Sequence, residues 1–156
     1  MRLALFQPEI AGNVGTIIRS CAAFDVPLDI IEPCGFPFSD RALARAGMDY
    51  AERAHVVRHA DWTSFQASAT GRIILLSTQA ETPLHDFAFQ AGDTLLFGQE
   101  SAGVPPHVRA HCTASVRIAM TPGVRSLNVA VSAGIALHEA LRQTGGLNSA
   151  GPAPHD

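Results

Sequence analysis

The sequence FGQESAGVP extends from Phe97 to Pro105, and a second glycine-bearing loop, TPGVRSLN, extends from Thr121 to Asn128. Each loop follows a short run typical of a β-strand, and the second leads into an almost wholly apolar helical pattern. Gly98, Gly103 and Gly123 allow close backbone approach or a positive φ angle. Two such loops at the ends of neighbouring strands predict a backbone-lined pocket for a flat, polar small molecule.

The composition is that of a single globular domain. The chain has 156 residues, 47% of them hydrophobic, and its net charge of −3 and pI near 6.1 argue against a generally basic nucleic-acid coat. A local basic patch would not register in a net count, so RNA binding stays open. Cys21, Cys34 and Cys112 form no CxxC pair, which favours a reducing cytosol. Because no run approaches the roughly 20 apolar residues of a membrane span and no signal-type start is present, we expect a soluble, cytoplasmic protein.

Short apolar runs alternate with helical patterns along the chain, which predicts an α/β fold with a mainly parallel sheet flanked by helices. Strands are expected at 3–7, 28–31, 55–58, 72–77, 94–97 and 115–119. Helices are expected at 13–24, 39–47, 62–70, 105–111 and 127–143. Asn13 and Ser39 are the expected caps of the first two helices, and Gly47 is the expected stop of the second.

The closing helix is apolar or small on all sides up to His138. Such a helix must be buried over most of its surface, and we expect part of that burial to come from a second subunit. The residues after Gly145 are rich in Gly, Ala, Pro and Asn and have no periodic pattern. We therefore expect a single domain over 1–146 and a flexible tail over 147–156.

A third glycine-bearing loop, PEIAGNVGTIIR, extends from Pro8 to Arg19. A strand-to-helix turn capped by Asn13 accounts for the glycines and the asparagine without any function. It does not account for Arg19, whose permanent positive charge could reach a phosphate or a carboxylate at the carboxyl edge of the sheet. A solvated surface charge is the structural alternative for this residue.

Other catalytic patterns are weak or missing in the sequence. His107, His111 and Cys112 have a spacing compatible with metal binding, but no HExxH glutamate and no second cluster support a metal site. The sequence also lacks the G-x-S-x-G motif of serine hydrolases, the G-x-G-x-x-G motif of dinucleotide-binding proteins and a phosphate loop ending in Gly-Lys-Ser/Thr. Hydrolase, nicotinamide and nucleoside-triphosphate chemistry therefore have little support.

Three strings in order, N-x-G-x-I-I-R, F-G-x-E-x-x-G-V-P and R-S-L-N before an apolar helix, resemble the motifs of the SPOUT superfamily of RNA methyltransferases. The segment from Ile30 to Tyr50, IIEPCGFPFSDRALARAGMDY, resembles the TrmL type, the tRNA 2′-O-methyltransferases of the wobble nucleotide. The resemblance covers residues 2 to 144 and implies an α/β knot fold with a deep C-terminal trefoil knot, which is rare among proteins. It also implies a homodimer with each S-adenosylmethionine pocket near the subunit interface.

The resemblance assigns roles to residues by their position in these motifs. The expected S-adenosylmethionine contacts are Leu76, Gly98, Gly103, Ile118, Met120, Ser126 and Leu127. The expected catalytic residues are Arg19, Glu100, Ser126 and Asn128, and no metal is expected. The implied reaction is in-line attack on the methyl group by the ribose 2′-hydroxyl of a wobble cytidine or uridine in the tRNA anticodon stem-loop.

The catalytic residues are expected to act in different ways. Arg19 would fix an RNA phosphate and stabilise negative charge developing on the ribose oxygen. Glu100 would accept a proton or orient Arg19. Ser126 and Asn128 would hold the loop and the hydroxyl group by hydrogen bonds.

Three positions, Ala102, Val131 and His138, depart from the TrmL pattern and bear on RNA specificity more than on methyl transfer. Ala102 lies where an arginine is common, so weaker and less salt-dependent RNA binding is expected. Two alternatives stay open: methylation at another tRNA position or of ribosomal RNA, and a catalytically idle RNA-binding relative. The presence of all four expected catalytic residues favours an enzyme.

Overall fold

The computed structural model describes residues 1–39 and 54–147. The strands are β1 (Arg2–Phe6), β2 (Leu28–Ile31), β3 (Val56–His59), β4 (Ile73–Leu76), β5 (Thr82–Pro83), β6 (Thr94–Phe97) and β7 (Ala114–Arg117). The helices are α1 (Ala11–Phe24), α2 (Trp62–Ser68), α3 (Pro106–Ala110) and α4 (Val129–Thr144), with a 3₁₀ turn at Leu84–Asp86.

The strands form one sheet in the order β3-β2-β1-β6-β4-β7-β5, and all of these pairings are parallel. In the centre, Leu5 of β1 is in register with Ile30 on one side and Phe97 on the other. Parallel strands need crossover connections that cover both faces of the sheet, so the central strands are continuously apolar. The predicted parallel α/β architecture is confirmed.

Alternating residues of each strand divide the core into two layers. Leu3 and Leu5 of β1 pack in the layer that contains α1 and α4, whereas Ala4 and Phe6 pack in the layer that contains α2 and α3. Helices on both faces leave only the two ends of the strands open. A ligand site therefore has to form in the loops at one of the two ends of the strands.

Helix α4 is buried on one side only within a single chain. Its small residues, such as Ala133 and Ala136, pack against the core, while Val131 and Ile135 are 52% and 41% exposed. The expectation that the helix is buried on most of its surface is therefore not met by one chain alone. Among the described helices, none is both long enough and apolar enough to cross a membrane.

The predicted element bounds agree with the structure at β2 and β6 and differ by one or two residues at most other ends. The prediction that Asn13 caps α1 is wrong, because the helix begins at Ala11 and Ile10 is its N-cap residue. The closing helix begins at Val129 rather than 127, because Asn128 is its N-cap residue. Strand β5 and the 3₁₀ turn were not predicted, since two residues that include a proline at the sheet edge give no periodic signal.

Several predictions fall on residues that the structure does not describe. The helix expected after Ser39, the second half of the segment that resembles the TrmL type, and the tail from residue 148 lie outside the described residues. The trefoil knot stays a prediction, because strand order and register alone do not define how the chain is threaded.

Candidate functional site

A cleft of about 890 Å³ lies at the carboxyl ends of β4, β6 and β7. Its walls come from four segments that follow these strands or precede α4, at residues 75–79, 97–104, 116–120 and 125–129. The cleft has the size of ordinary small-molecule sites, which enclose about 300–1,000 Å³. Its position at the carboxyl edge is the usual one for ligands of open parallel sheets.

The cleft contains nearly all of the residues that the sequence motifs indicated. All seven expected cofactor contacts line it, as do Glu100 and Asn128. Arg19 is the exception among the described residues that were assigned a role: it is exposed on α1 and is not part of the cleft lining. The cleft of one chain therefore combines every expected site residue except the arginine.

The loop after β6 is closed on itself by its two glycines. Gln99 and Gly103 exchange backbone hydrogen bonds of 2.8 and 2.9 Å, and Gly103 has a φ angle of 68°. A Cβ atom at Gly98 would lie 2.4 Å from the carbonyl carbon of Gly103, a distance that real Cβ atoms do not show. Gly98 is therefore required for the loop to fold back, which gives the cleft its wall.

Glu100 projects from this loop toward the loop between β1 and α1. Its Oε2 accepts a hydrogen bond of 3.0 Å from the backbone N–H of Glu9, and its Oε1 accepts one of 3.2 Å from Asn13 Nδ2. Both carboxylate oxygens thus have donors within the protein. This geometry joins the loops after β1 and β6 at the rim of the cleft.

Asn128 extends the same network to α4. Its Oδ1 accepts hydrogen bonds from the backbone N–H groups of Ala130 (2.8 Å) and Val131 (3.3 Å), and its Nδ2 donates one of 2.9 Å to Asn13 Oδ1. The amide therefore caps the helix and anchors it to the first turn of α1. The helix N-terminus, with its partial positive charge, lies at the cleft as a result.

Two arginines in the cleft wall, Arg109 and Arg125, were not assigned a role from the sequence. Within the part of the chain that the structure describes, the guanidinium group of neither residue is hydrogen-bonded or ion-paired. Arg125 precedes Ser126 in the R-S-L-N string, so its position in the motif indicated that it belongs to the site. Arg109 lies on the short helix α3 outside any motif and gave no such signal.

The histidine–cysteine pattern near α3 has a structural explanation. His111 Nδ1 lies 2.7 Å from the carbonyl oxygen of His107, and Cys112 Sγ donates to the carbonyl oxygen of Val108 at 3.4 Å. Burial raises the pKa of Cys112 to about 11, which keeps the thiol protonated and a poor metal ligand at neutral pH. No group of three potential metal ligands occurs among residues 1–39 and 54–147.

Residues 1–138 match the SpoU rRNA Methylase family. The chain belongs to this family. Within it, the chain is 52% identical over 155 residues to the tRNA (cytidine(34)-2′-O)-methyltransferase of Beijerinckia indica subsp. indica, with 97% of each chain covered. The resemblance inferred from the three motifs is confirmed.

Solved structures of other proteins support the same relationship. A structure described as giving insights into the 2-OH methylation of C/U34 on tRNA has a TM-score of 0.85 and 40% identity to this SpoU family chain, covering 91% of it and 94% of the other chain. The SpoU methyltransferase AviRb from Streptomyces viridochromogenes, solved in complex with the cofactor AdoMet, has a TM-score of 0.81 and 25% identity. It covers 92% of this chain and 60% of its own length.

The cleft of this SpoU family chain suits S-adenosylmethionine by its chemistry. Ile118, Met120 and Leu127 offer apolar surface for an adenine ring, and the loop that Gly98 closes exposes backbone groups that can read its polar edge. Glu100 offers a carboxylate near which a cationic sulfonium is favourable. The residues present therefore fit the methyl donor that was expected from the motifs.

Proposed function

We propose that this chain methylates the ribose 2′-hydroxyl of the wobble cytidine or uridine of tRNA, with S-adenosylmethionine as the methyl donor. The cleft carries this proposal, because it unites the expected cofactor residues with Glu100 and Asn128. Relatives named tRNA (cytidine(34)-2′-O)-methyltransferase, which align over nearly the whole chain, support the choice of substrate. When bound, S-adenosylmethionine supplies a methyl group already activated by its sulfonium.

The protein's main contribution is then to place the ribose hydroxyl in line with that methyl group. Good orientation lowers the activation barrier by on the order of 7–11 kcal/mol, because the reactants have already lost translational and rotational entropy on binding and less solvent has to reorganise. A cleft whose walls are tied together by hydrogen bonds is suited to this task, because its geometry does not have to form anew at each turnover.

We assign Arg19 to the RNA. A guanidinium keeps its proton at neutral pH, so this residue acts as a cation and not as a base. Arg19 lies outside the cleft of its own chain, so we expect it to reach the ribose of an RNA bound near the interface with a second subunit. There it holds a phosphate and stabilises charge that develops on the 2′-oxygen.

We assign Glu100 to the orientation of the site. Its two oxygens accept hydrogen bonds from Glu9 and Asn13, so a further role as proton acceptor would compete with these donors. The geometry therefore argues against proton acceptance and supports orientation of the segment around Glu9 and Asn13, while the other expected role, orientation of Arg19, stays a prediction. Asn128 holds the start of α4 through its cap and through Asn13. Ser126 keeps the role expected from the motif, a hydrogen bond to the loop or to the ribose hydroxyl.

The proposed enzyme is a homodimer that works in the cytoplasm. An apolar stripe on α4 consists of Val131 and Ile135, four residues apart and 52% and 41% exposed, and Leu127, 37% exposed, continues it in the loop before the helix. Such a stripe is favourable to bury, and Leu127 also lines the cleft, so a second chain placed there would adjoin the active site. A dimer also presents two surfaces for recognition of the anticodon stem-loop. Sedimentation of the purified protein tests this state directly.

Two other functions are alternatives to this one. The matched family is described by ribosomal RNA methylation, which keeps a ribosomal substrate as the alternative target. A catalytically idle RNA-binding protein would have no need of the cleft together with Glu100, Ser126 and Asn128.

The deciding experiment is nucleoside mass spectrometry of tRNA incubated with the purified protein and S-adenosylmethionine carrying an isotopically labelled methyl group. We expect label in a 2′-O-methylated pyrimidine, which oligonucleotide mapping places at the wobble position. Label at another position or in ribosomal RNA only would replace the proposed substrate. Absence of label in both RNAs, with cofactor binding measured by calorimetry, would support the idle RNA-binding protein.

A further inference from the structure

Glu9 and Glu100 each bind backbone from the other's loop. The Glu100 carboxylate accepts the backbone N–H of Glu9 at 3.0 Å. In return, the Glu9 carboxylate accepts the backbone N–H of Ser101 at 2.8 Å and its hydroxyl at 2.7 Å. We call this reciprocal arrangement of Glu9, Glu100 and Ser101 the carboxylate clamp.

Glu9 is itself held firmly in place by its surroundings. The preceding carbonyl, of Pro8, accepts a 2.9 Å hydrogen bond from the backbone N–H of Gly35, in the loop after β2. A Cβ atom at Gly35 would lie 3.0 Å from the Cα of Glu9, so the two backbones pack in close contact. The clamp therefore connects the loop after β6 to the segment after β1, and that segment is itself hydrogen-bonded to the loop after β2.

The charge of Glu9 strengthens its hold on Ser101. Hydrogen bonds from the side chain and then the backbone of Ser101 lower the pKa of Glu9, which keeps the carboxylate ionised at neutral pH. Hydrogen bonds to an ionised acceptor are shorter and about twice as strong as neutral ones. The two distances, 2.7 and 2.8 Å, lie in that short range.

Glu9 does not line the cleft, but both residues that it holds, Glu100 and Ser101, do. We propose that Glu9 is a positioning residue for S-adenosylmethionine: through the carboxylate clamp it fixes the loop from Gly98 to Gly103 in the conformation that forms the cofactor wall. The inference rests on the proposed function and adds to it a residue outside the motif positions that were assigned roles. Loss of the Glu9 charge weakens cofactor binding without removing any group that contacts the cofactor.

The main test is the substitution Glu9→Gln, which keeps the side-chain length but removes the charge and one of the two acceptor oxygens. We expect the Kd for S-adenosylmethionine, measured by calorimetry without RNA, to rise about tenfold, a change expected when a charge-assisted contact is weakened. The KM for S-adenosylmethionine should rise with it, while the KM for tRNA and kcat at saturating cofactor stay near the wild-type values.

Variants of Ser101 separate the clamp from a general effect of the substitution. Ser101→Ala loses the hydroxyl but keeps the backbone donor, so we expect a rise in Kd of roughly threefold, and Ser101→Thr should restore the wild-type value. Because the Ser101 hydroxyl acts through the same Glu9 carboxylate, the loss of affinity in the double variant Glu9→Gln with Ser101→Ala should be smaller than the sum of the two single losses. Additive losses would contradict the clamp.

Glu139→Gln is the matched control, because it removes a carboxylate that accepts hydrogen bonds on α4, away from the cleft. Its Kd should equal that of the wild type. Amide hydrogen exchange provides a readout that needs no cofactor: the Ser101 amide should exchange faster in Glu9→Gln and at the wild-type rate in the control.

A Kd within about twofold of the wild type in Glu9→Gln, or unchanged exchange at Ser101, would overturn the positioning role. A fall in kcat at saturating cofactor with unchanged Kd would also overturn it, by moving Glu9 into the chemical step. If the wild type binds S-adenosylmethionine but methylates no RNA, the proposed function fails while the clamp is still tested by calorimetry. If the wild type does not bind S-adenosylmethionine, both proposals fail.

Discussion

Carboxylates have different partners at the amino ends of the strands, here called the amino edge of the sheet, and at the carboxyl ends, called the carboxyl edge. At the amino edge, the side chain of Asp93 is 1% exposed and accepts two hydrogen bonds from Arg72 and one from the backbone of Gln90. At the carboxyl edge, Glu100 is exposed and Glu9 half-buried. All four hydrogen bonds described for these two carboxylates come from neutral groups, three from the facing loop and one from Asn13 on α1.

Asp29, near the start of β2, has a similar set of partners at the amino edge. It is buried, accepts two hydrogen bonds of 2.8 Å from Arg2, and lies 2.8 Å from His59 Nε2, so it connects β1, β2 and β3. A buried carboxylate that loses its partner is costly, whereas an exposed one can be re-solvated. Substitutions at the amino edge are therefore expected to change stability, and substitutions at the carboxyl edge to change binding and turnover.

The largest effect is expected from Arg19→Ala, on the carboxyl-edge side of this comparison. Turnover of tRNA should fall on the order of 10³-fold, because a group that stabilises developing negative charge is lost. The Kd for S-adenosylmethionine should stay within about twofold of the wild type, because Arg19 is outside the cleft lining. Single-turnover methylation and calorimetry measure the two quantities.

Arg142→Ala, which removes an exposed arginine far along α4, is the control for this loss of charge and should leave both values unchanged. A large loss of cofactor affinity in Arg19→Ala would show that the arginine contacts the cofactor and not the RNA.

The next largest effect is expected at the amino edge. Asp93→Ala leaves the Gln90 N–H without its acceptor and Arg72 with only the carbonyl oxygen of Ala88, and the free energy of unfolding should fall by about 3 kcal/mol, the lower end of values for a broken buried pair. Urea titration measures this change. Cofactor affinity of the folded variant should stay at the wild-type value.

The matched control is Glu32→Ala, which breaks the exposed pair between Glu32 and Arg58. Exposed ion pairs contribute about 1 kcal/mol or less, so its loss of stability should be clearly smaller. Equal losses in the two variants would remove the distinction between buried and exposed carboxylates.

A third effect concerns the two glycines of the carboxyl-edge loop. Gly98→Ala places a Cβ against the backbone of Gly103, so the loop must move and the Kd for S-adenosylmethionine should rise tenfold or more, roughly the effect of overpacking by 1–3 kcal/mol. A Cβ atom at Gly103 would have no other atom within 4 Å, so Gly103→Ala costs only the strain of a positive φ angle. We expect a urea titration to show a loss of about 1 kcal/mol in the free energy of unfolding. Equal effects on Kd would show that space at Gly98 does not shape the cleft.

The sequence predicts which residues line the cleft better than it predicts the contacts that hold the cleft together. β2 and β6 are predicted to the residue because each is a short apolar run with clear limits, and the motif glycines mark the cleft wall. Asn13 is predicted wrongly because its capping preference is a local property. Its partner Glu100 lies 87 residues away along the chain, and Glu9 and Ser101 are 92 apart, distances at which single-sequence patterns carry no information.

The smallest effect is expected from the exposed pair of Glu139 and Arg142 on α4. Hydrogen bonds from Arg142, and then from Gln143, lower the pKa of Glu139 from 4.5 to about 2. A lowered carboxylate pKa adds stability above the unfolded value and loses it as the pH falls toward the folded value. The difference in urea midpoint between the wild type and Arg142→Ala should therefore be small at neutral pH, decrease in high salt, and shrink steadily between pH 4.5 and 2. A difference as large as that of Asp93→Ala, or one independent of pH, would mean that an exposed pair stabilises this fold as strongly as a buried one, and the contrast between the two edges would fail.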